Sequence, residues 1–306
     1  MNYRPEGCLY RTAENQRYIA TADGLGEAMK KGLILEARAA VCSSTHDIIV
    51  ELPCGEGIIP RDEGAVGIRE GKTRDIALIS RVNKIVCFKV TEVGTDADGR
   101  VRAVLSRSAA QEEFITEHMS KLTAGDIIDA KVTHLEQFGC FVDIGCGVPS
   151  LIPIDAISVS RISHPSDRFR TGQLIKAVVR SRDGERICLS HKELLGTWEE
   201  NTAGFQAGET VSGVVRSVEE YGIFVELAPN LAGLAELRGG VTAGESVSVY
   251  IKAIIPEKMK VKLVIVDVCE ECTPASSLHY YIDSGHLSEW NYAPPASGRK
   301  MITCFE

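Results

Sequence analysis

Four aromatic side chains recur in pairs around a glycine, with a spacing that suits the binding of nucleobases. The segment QFGCFVDIG carries the first pair and EYGIFVELA the second, and the four residues are Phe138, Phe141, Tyr221 and Phe224. Every base has a π-face, so two exposed rings offer a stacking surface for single strands, each stacked base contributing about 1–3 kcal/mol. For one isolated Phe in a strand, burial in a core would be the better interpretation. The repetition around a glycine favours base stacking.

The first segment is predicted to be a β-strand, which decides which of its side chains are exposed. Successive side chains of a strand point to opposite faces, so we expect Val142 to point inward while Phe141 and Asp143 point outward. Gly139 allows a kink or bulge that would bring Phe138 onto the outer face. The sequence therefore predicts both rings on one exposed surface.

An internal repeat places the two ring-bearing segments in equivalent positions. Residues 124–145 align without a gap with residues 207–228, a shift of 83 residues (207 minus 124). A fainter copy begins at Lys31 with KGLILEARAAVCSSTHDIIVELPCGEGIIP. The chain therefore contains three copies of one unit.

Each copy is predicted to form five short strands. Short β-branched runs alternate with polar residues and are interrupted by glycine, proline and Asp-Gly turns. The Asp-Gly pairs that begin at Asp98 and Asp183 indicate tight hairpins near the ends of two copies. Strong helix formers at helical spacing occupy residues 22–30, 109–122 and 190–205. The pattern is typical of an all-β chain with short linking helices.

The order of the segments resembles that of a known family. Gly125, QFGCFVDIG, SLIPI and ERICLS resemble the S1 RNA-binding domain, and Gly208, EYGIFVELA, GLAEL and KVKLVI repeat the pattern. With LLGTWEEN and PNLAGLAEL, the chain also resembles the shorter, S1-like 30S ribosomal proteins of clostridial bacteria. The resemblance covers residues 20–268 and implies three tandem five-stranded OB-fold barrels of the S1 type.

The repeat and the resemblance together divide the chain into seven parts. We expect an amino-terminal segment with a short helix (1–30), a degenerate S1-like barrel (31–108), a linking helix (109–123), an S1 barrel (124–189), a second linking helix (190–206), an S1 barrel (207–268) and a carboxy-terminal tail (269–306).

The resemblance also implies basic residues for phosphate contacts. The basic position of the last strand falls on Arg186 in the second copy and Lys260 in the third. The family's acidic position four residues earlier is Arg182 in the second copy, which we include among the predicted RNA-binding residues. Plain surface charge is the alternative for all three.

Two departures from the family pattern predict weaker binding in places. The histidine of the third strand is replaced in the three copies by Pro60, Pro153 and Glu236. In the first copy the aromatic positions fall on His46 and Ile49, which leaves no pair of rings. We therefore expect lower affinity per barrel, and a first barrel that binds RNA poorly and serves instead as an anchor to protein.

The charge of the chain argues against binding polyanions by bulk charge. The net charge is −8 (34 minus 42), whereas phosphate binding needs clustered Lys and Arg. Residues 161–192 are the exception, with eight basic and three acidic side chains and so a net charge of +5. Without a long apolar run or a signal core, the chain is expected to be a cytoplasmic monomer that does not bind membranes.

No catalytic constellation is recognised in the sequence. Phosphate loops, dinucleotide fingerprints, HExxH and nucleophile elbows do not occur, so we expect neither an enzyme nor a cofactor. Cys269 and Cys272 form a CxxC, but no further pair of ligands is evident nearby, and we expect no metal site. The tail is rich in aromatic residues and is expected to pack on a barrel, with a docking peptide for another protein as the alternative.

Single-stranded RNA is the expected partner, and the 30S ribosomal subunit is a second. The leading hypothesis is a translation-associated protein that holds mRNA near the ribosome. An accessory factor in RNA turnover or transcription is the alternative, because S1-type barrels are also appended to such proteins. An RNA-processing enzyme is the third hypothesis.

Overall fold

The computed structural model describes residues 3–184, 186–269 and 278–305 and consists mainly of β-strands. Fifteen strands form three closed barrels of five strands each, and two further short strands form a separate pair. In each barrel the third strand lies beside the fifth, and the fourth closes the barrel against the first. The predicted fold class, three OB-like barrels in tandem, is confirmed.

The first barrel follows two helices. Its elements are α1 (Ala13–Ile19), α2 (Ala22–Lys31), β1 (Leu35–Cys42), β2 (Ile48–Leu52), β3 (Gly55–Ile59), α3 (Ile76–Ile79), β4 (Ile85–Thr95) and β5 (Val101–Ser106). Helix α2 is capped at its amino end by Thr21, whose hydroxyl accepts a hydrogen bond from Gly24 N, and at its carboxyl end by Gly32 in the left-handed conformation.

The second and third barrels repeat this plan. The second is preceded by α4 (Arg107–Glu117) and contains β6 (Ile127–Glu136), β7 (Gly139–Asp143), β8 (Pro149–Pro153), β9 (Leu174–Asp183) and β10 (Arg186–Ser190). The third is preceded by α5 (Trp198–Thr202) and contains β11 (Thr210–Glu219), β12 (Gly222–Ala228), β13 (Leu231–Ala235), β14 (Ser246–Ile255) and β15 (Lys260–Cys269). The tail pairs β16 (Glu289–Asn291) with β17 (Ile302–Cys304).

The chain forms two compact units. The first contains the residues up to 122 together with 129–131 and 143–149, and the second contains 123–128, 132–142 and the chain from 150 onward. The second barrel therefore contributes residues to both units, while the third barrel and the tail belong wholly to the second unit.

Buried charges organise the first unit. Glu6 is buried and receives a hydrogen bond of 2.7 Å from Arg107 Nε, and Arg81 Nη1 lies 3.4 Å away. Burial raises the pKa of Glu6, but these guanidinium groups hold it below its usual value. The backbone N–H of Glu6 donates to Asp143 Oδ2 at 2.7 Å. The amino-terminal segment is therefore fixed to residues 143–149 of the second barrel.

The described part of the tail packs on the third barrel. Trp290, Tyr292 and Phe305 are buried in the same apolar cluster as the barrel interior. Upstream of them, Tyr280 contacts the fully buried His191, with its hydroxyl 3.1 Å from His191 Nε2. The structure therefore shows the described part of the tail packed against a barrel, which is the first of the two alternatives considered for it.

Candidate nucleic-acid interface

The ring pair of the second barrel lies on its outer surface. Phe138 immediately precedes β7 and is 57% exposed, while Phe141 within β7 is half-buried. The ring centroids are 5.9 Å apart and the planes meet at 89°. This edge-to-face contact packs the two rings against each other, and Phe138 remains the more exposed of the two.

The third barrel has the same arrangement. Tyr221 is 69% exposed and Phe224 on β12 is half-buried. The centroids are 6.1 Å apart at an interplanar angle of 87°. The two ring pairs are therefore alike in exposure, separation and angle, as the repeat in the sequence predicts.

The glycine within each ring pair allows the neighbouring strand to approach closely. A Cβ on Gly139 would lie 2.5 Å from the carbonyl oxygen of Ile152, and one on Gly222 would lie 2.6 Å from that of Ala235. The sequence predicts a kink or bulge at the glycine. In the third barrel the bulges lie elsewhere, between Val215 and Ser217 and between Glu226 and Ala228. Close backbone approach is the reason that the position requires glycine.

In β7 the burial of Val142 and the partial exposure of Phe141 fit the predicted alternation, whereas Asp143 is covered by other segments of the chain. Val142 is fully buried, yet Asp143 is only 3% exposed, so its predicted outward exposure is wrong. Its carboxylate accepts hydrogen bonds from Glu6 N, Gly145 N and Gly147 N. Burial, followed by the charge of Glu6, raises the pKa of Asp143 to about 7. The carboxylate therefore holds the loop after β7 and is not available to RNA.

The predicted phosphate-binding residues occupy different faces of the last two strands. Arg186 is exposed at the start of β10 and lies opposite Asp183 of β9 in the strand register. Arg182 is paired with Ile187, whose side chain points inward, so Arg182 lies on the opposite face from Arg186. Its Nε donates to the carbonyl of Gly184 at 2.8 Å. Lys260 is exposed at the start of β15.

Aliphatic side chains occupy the corresponding face of the first barrel. His46 lies in the turn before β2 at a positive φ of 65°, with Nδ1 4.0 Å from Asp75 Oδ2. Ile49 lies on the outer face because its neighbours Ile48 and Val50 are fully buried. The outer row across four strands, by direct pairing, is Val41, Ile49, Ile58 and Val104. This barrel therefore has an apolar surface where the other two have rings.

The positions of the family's histidine carry no aromatic ring in any barrel. Pro153 ends β8, and the next residue, Ile154, donates its backbone N–H to the carbonyl of Phe138 at 3.0 Å. Glu236 of the third barrel is exposed and lies 3.4 Å from Lys252 Nζ. Pro60 precedes the short 3-10 turn that follows β3. These positions therefore add no ring to the ring pairs of the second and third barrels.

A buried network of charges, which the sequence did not indicate, lies beside the ring pair of the third barrel. Glu226 follows Phe224 by two residues on the same outer face of β12 and is nearly fully buried. It accepts hydrogen bonds from Arg168 Nη1 at 2.7 Å and Arg216 Nε at 2.8 Å, and Arg216 also pairs with Asp167. Since Asp167 and Arg168 belong to the loop before β9, this loop of the second barrel packs beside Phe224.

Neither a metal cluster nor a membrane-spanning helix is found among the residues that the structure describes. Across residues 3–184, 186–269 and 278–305, no group of three His, Cys, Asp or Glu side chains is arranged to hold a metal ion. Cys272 of the CxxC lies outside the described residues. Within the same ranges no helix is long and apolar enough to cross a membrane.

Comparison with solved structures gives only partial matches. A chain of the a/eIF2alpha–aDim2p–rRNA complex from Pyrococcus horikoshii OT3 matches at a TM-score of 0.24 and 21% identity, covering 27% of this chain and 51% of that one. A multidomain protein with nucleic acid binding domains from Streptococcus pneumoniae TIGR4 matches at 0.24 and 12% identity, covering 77% and 74%. These scores are too low to support a functional comparison.

Comparison of sequences gives a match to one family model and partial matches to relatives. The model of the S1 RNA binding domain matches residues 121–192. The small ribosomal subunit protein bS1 of Staphylococcus aureus (strain COL) is 39% identical over 109 residues, which cover 34% of this chain and 28% of that protein. The bS1 homolog of Bacillus subtilis (strain 168) is 38% identical over 124 residues, covering 38% and 31%. The match thus spans under a third of these relatives, and the match to the S1 RNA binding domain model is confined to residues 121–192, which contain the second barrel.

Proposed function

We propose that the chain binds single-stranded RNA by stacking bases on the ring pairs of its second and third barrels. The observation that carries this proposal is the recurrence of one exposed edge-to-face ring pair at equivalent positions of both barrels. An exposed ring has no structural role that requires its exposure, whereas base stacking requires it. The S1 family match over the second barrel supports the same conclusion.

Stacking suits a chain of this charge. With a net charge of −8, the molecule as a whole repels a polyanion, so affinity must come from contacts that do not depend on bulk charge. Arg186 and Lys260, both exposed, supply local phosphate contacts beside the rings, and Arg182 supplies one from the other face of its hairpin. We expect sequence preference to be weak, because every base presents a π-face.

Substitution of one ring tests this proposal. Phe141→Ala should weaken binding of a labelled oligouridylate by about 1–3 kcal/mol, because one stacked base loses its ring. The melting temperature should change little, since the ring contributes to a surface and not to the barrel interior. Fluorescence anisotropy and thermal unfolding measure the two quantities. A loss of about 3–5 kcal/mol in stability, as for a core aromatic, would contradict the proposal.

We further propose that the chain acts in translation, in association with the small ribosomal subunit, and therefore in the cytoplasm. The support is the similarity of stretches of 109 and 124 residues to two proteins named as small ribosomal subunit protein bS1 or its homolog. Co-sedimentation with purified 30S subunits tests this part of the proposal. Recovery of the chain only with free RNA would favour the alternative role in RNA turnover or transcription.

The three barrels are proposed to divide these tasks. The second and third carry rings and would bind RNA, whereas the first carries the aliphatic row that includes Val41 and Ile49. A row of aliphatic side chains in which Val41 is exposed and the others are partly exposed suits contact with protein and offers nothing for a base to stack on. The first barrel would therefore anchor the chain to a protein of the small subunit.

A further inference from the structure

We infer that the RNA site of the third barrel extends beyond its ring pair, across the outer face of the sheet, to Lys262 on β15 and Tyr250 on β14. This inference rests on the proposed function and deepens it. It assigns to the third barrel a third ring and a cation, and the second barrel does not have that cation at the corresponding position.

Strand register places Lys262 in line with the ring pair. Phe224 on β12 is directly opposite Leu234 on β13, and Leu234 is directly opposite Lys262 on β15. Directly paired residues share a face of the sheet, so all three side chains point outward. The neighbours of Lys262, Val261 and Leu263, are buried in the barrel, which confirms the outward direction of Lys262. A strand spacing of about 4.8 Å puts Lys262 roughly 10 Å from Phe224.

Tyr250 lies on the same outer face, one strand further. Val249 and Ile251 on either side of it are fully buried, while Tyr250 itself is 40% exposed. It is paired with Thr210 on β11 and Val264 on β15, and Val264 lies two residues after Lys262. The ring of Tyr250 is therefore diagonal to Lys262 on the exposed surface.

The exposed pair of Lys252 and Glu236 connects β14 with the end of β13 on this surface. Lys252 Nζ on β14 reaches within 3.4 Å of Glu236 Oε1, which follows the end of β13. Because β15 lies between β14 and β13, the Lys252 side chain must cross the outer face of β15. The pair also places a cation beside the carboxylate of Glu236, which would otherwise repel phosphate.

The added groups match the size expected of such a site. OB-folds bind about 4 nucleotides or more, which two adjacent rings cannot contact alone. Lys262 would hold the phosphate between the bases on the ring pair and the base on Tyr250. In the third barrel Lys262 lies opposite Leu234. In the second barrel the corresponding residue is Cys188, which lies opposite Leu151. The third barrel should therefore bind RNA more tightly than the second.

Substitutions in the full-length chain test this inference. The probe is a labelled oligouridylate of about 12 nucleotides, within the range of sites for one OB-fold, and the background carries Phe141→Ala so that binding reports mainly the third barrel. Tyr250→Ala should weaken binding about fivefold or more, while Tyr250→Phe should bind like the parent because it keeps the ring. Lys262→Gln should lower the affinity and reduce the salt slope by about 0.7, and Lys262→Arg should restore both.

Lys258→Gln is the matched control, because Lys258 is an exposed lysine of the same barrel that lies in the turn between β14 and β15. It should leave the affinity within about twofold of the parent. If Tyr250→Ala and Lys262→Gln bind like the parent while Phe224→Ala weakens binding, the inference is wrong and the ring-pair proposal stands. If the unsubstituted chain does not bind the probe, the proposed function itself fails.

Discussion

At the scale of single residues, the two ring pairs are placed by the strands that carry them, whereas the carboxylate of Asp143 is held by contacts that include a distant segment of the chain. The segments QFGCFVDIG and EYGIFVELA place their rings as strand alternation and repetition predict. Asp143 is the exception, because the groups that cover it include Glu6, 137 residues earlier in the chain. The alternation of side chains along a strand predicts which face each side chain points to. It cannot predict that a distant segment of the chain covers the outer face.

Gly222 provides a prediction at this scale. Gly222→Ala should lower the free energy of unfolding by about 1–3 kcal/mol, because the new Cβ would collide with the Ala235 carbonyl at a backbone φ of 151°. Urea denaturation measures the change. Gly204→Ala is the control, since a Cβ there meets nothing within 4 Å, and it should stay within about 0.5 kcal/mol of the parent. Equal stability of the two variants would show that the strands can separate at Gly222 without cost.

At the scale of elements, strands and hairpins followed the sequence more closely than the linking helices did. The turns beginning at Asp98 and Asp183 connect β4 to β5 and β9 to β10. Residues 190–205 were predicted to be helical, but they form a 3-10 turn at Lys192–Leu195 and the short α5 at Trp198–Thr202. Gly196 separates the two at a φ of 83°, outside the helical range. The ring of Tyr281 packs over this glycine, a tail contact that helix propensity cannot anticipate.

His191 gives the second unit a predicted pH dependence. Its Nδ1 donates to the carbonyl of Ile157, so Nε2 accepts from the Tyr280 hydroxyl and the ring is neutral. Burial lowers the pKa of His191 to about 4, from about 6.5 in an unfolded chain. Between these values the unfolded state binds more protons. This contribution to stability is therefore complete above pH 6.5 and falls by about 3 kcal/mol as the pH drops to 4.

Tryptophan fluorescence follows this change, because the chain has two tryptophans and both are buried in the second unit. Urea unfolding at pH 7.5 and at pH 4.5 should show the loss of stability. His191→Gln, which cannot take up the proton, should show a much smaller difference between the two conditions. If the variant loses as much stability between pH 7.5 and pH 4.5 as the parent does, the acid sensitivity belongs to other groups.

At the scale of the whole molecule, the repeat in the sequence predicts three barrels. The contacts between segments are not predictable from the repeat, and only the structure shows them. The network of Arg168, Glu226 and Arg216 joins two copies of the repeat through side chains that the copies do not share. The buried tail residues Trp290, Tyr292 and Phe305 are also outside the repeat. Contacts that occur once in the chain leave no periodic signal, so only local and repeated features were predictable.

The proposed division of tasks gives a prediction at this scale. Val41→Asp places a charge in the exposed aliphatic row of the first barrel, where Val41 is 52% exposed. Co-sedimentation with 30S subunits should fall, because burying an unpaired carboxylate in a protein interface is unfavourable. Affinity for a single-stranded oligonucleotide should not change. A variant that loses RNA affinity but keeps its ribosome association would reverse the assignment of the barrels.

The most direct test of RNA binding by the ring pairs is the affinity of a full-length variant in which Phe138, Phe141, Tyr221 and Phe224 are all alanine. At about 1 kcal/mol or more for each ring, the Kd for a single-stranded oligouridylate should rise about a thousandfold or more, with the unfolding transition retained. A folded variant that binds RNA within about tenfold of the parent would contradict the proposal and place the site on another surface.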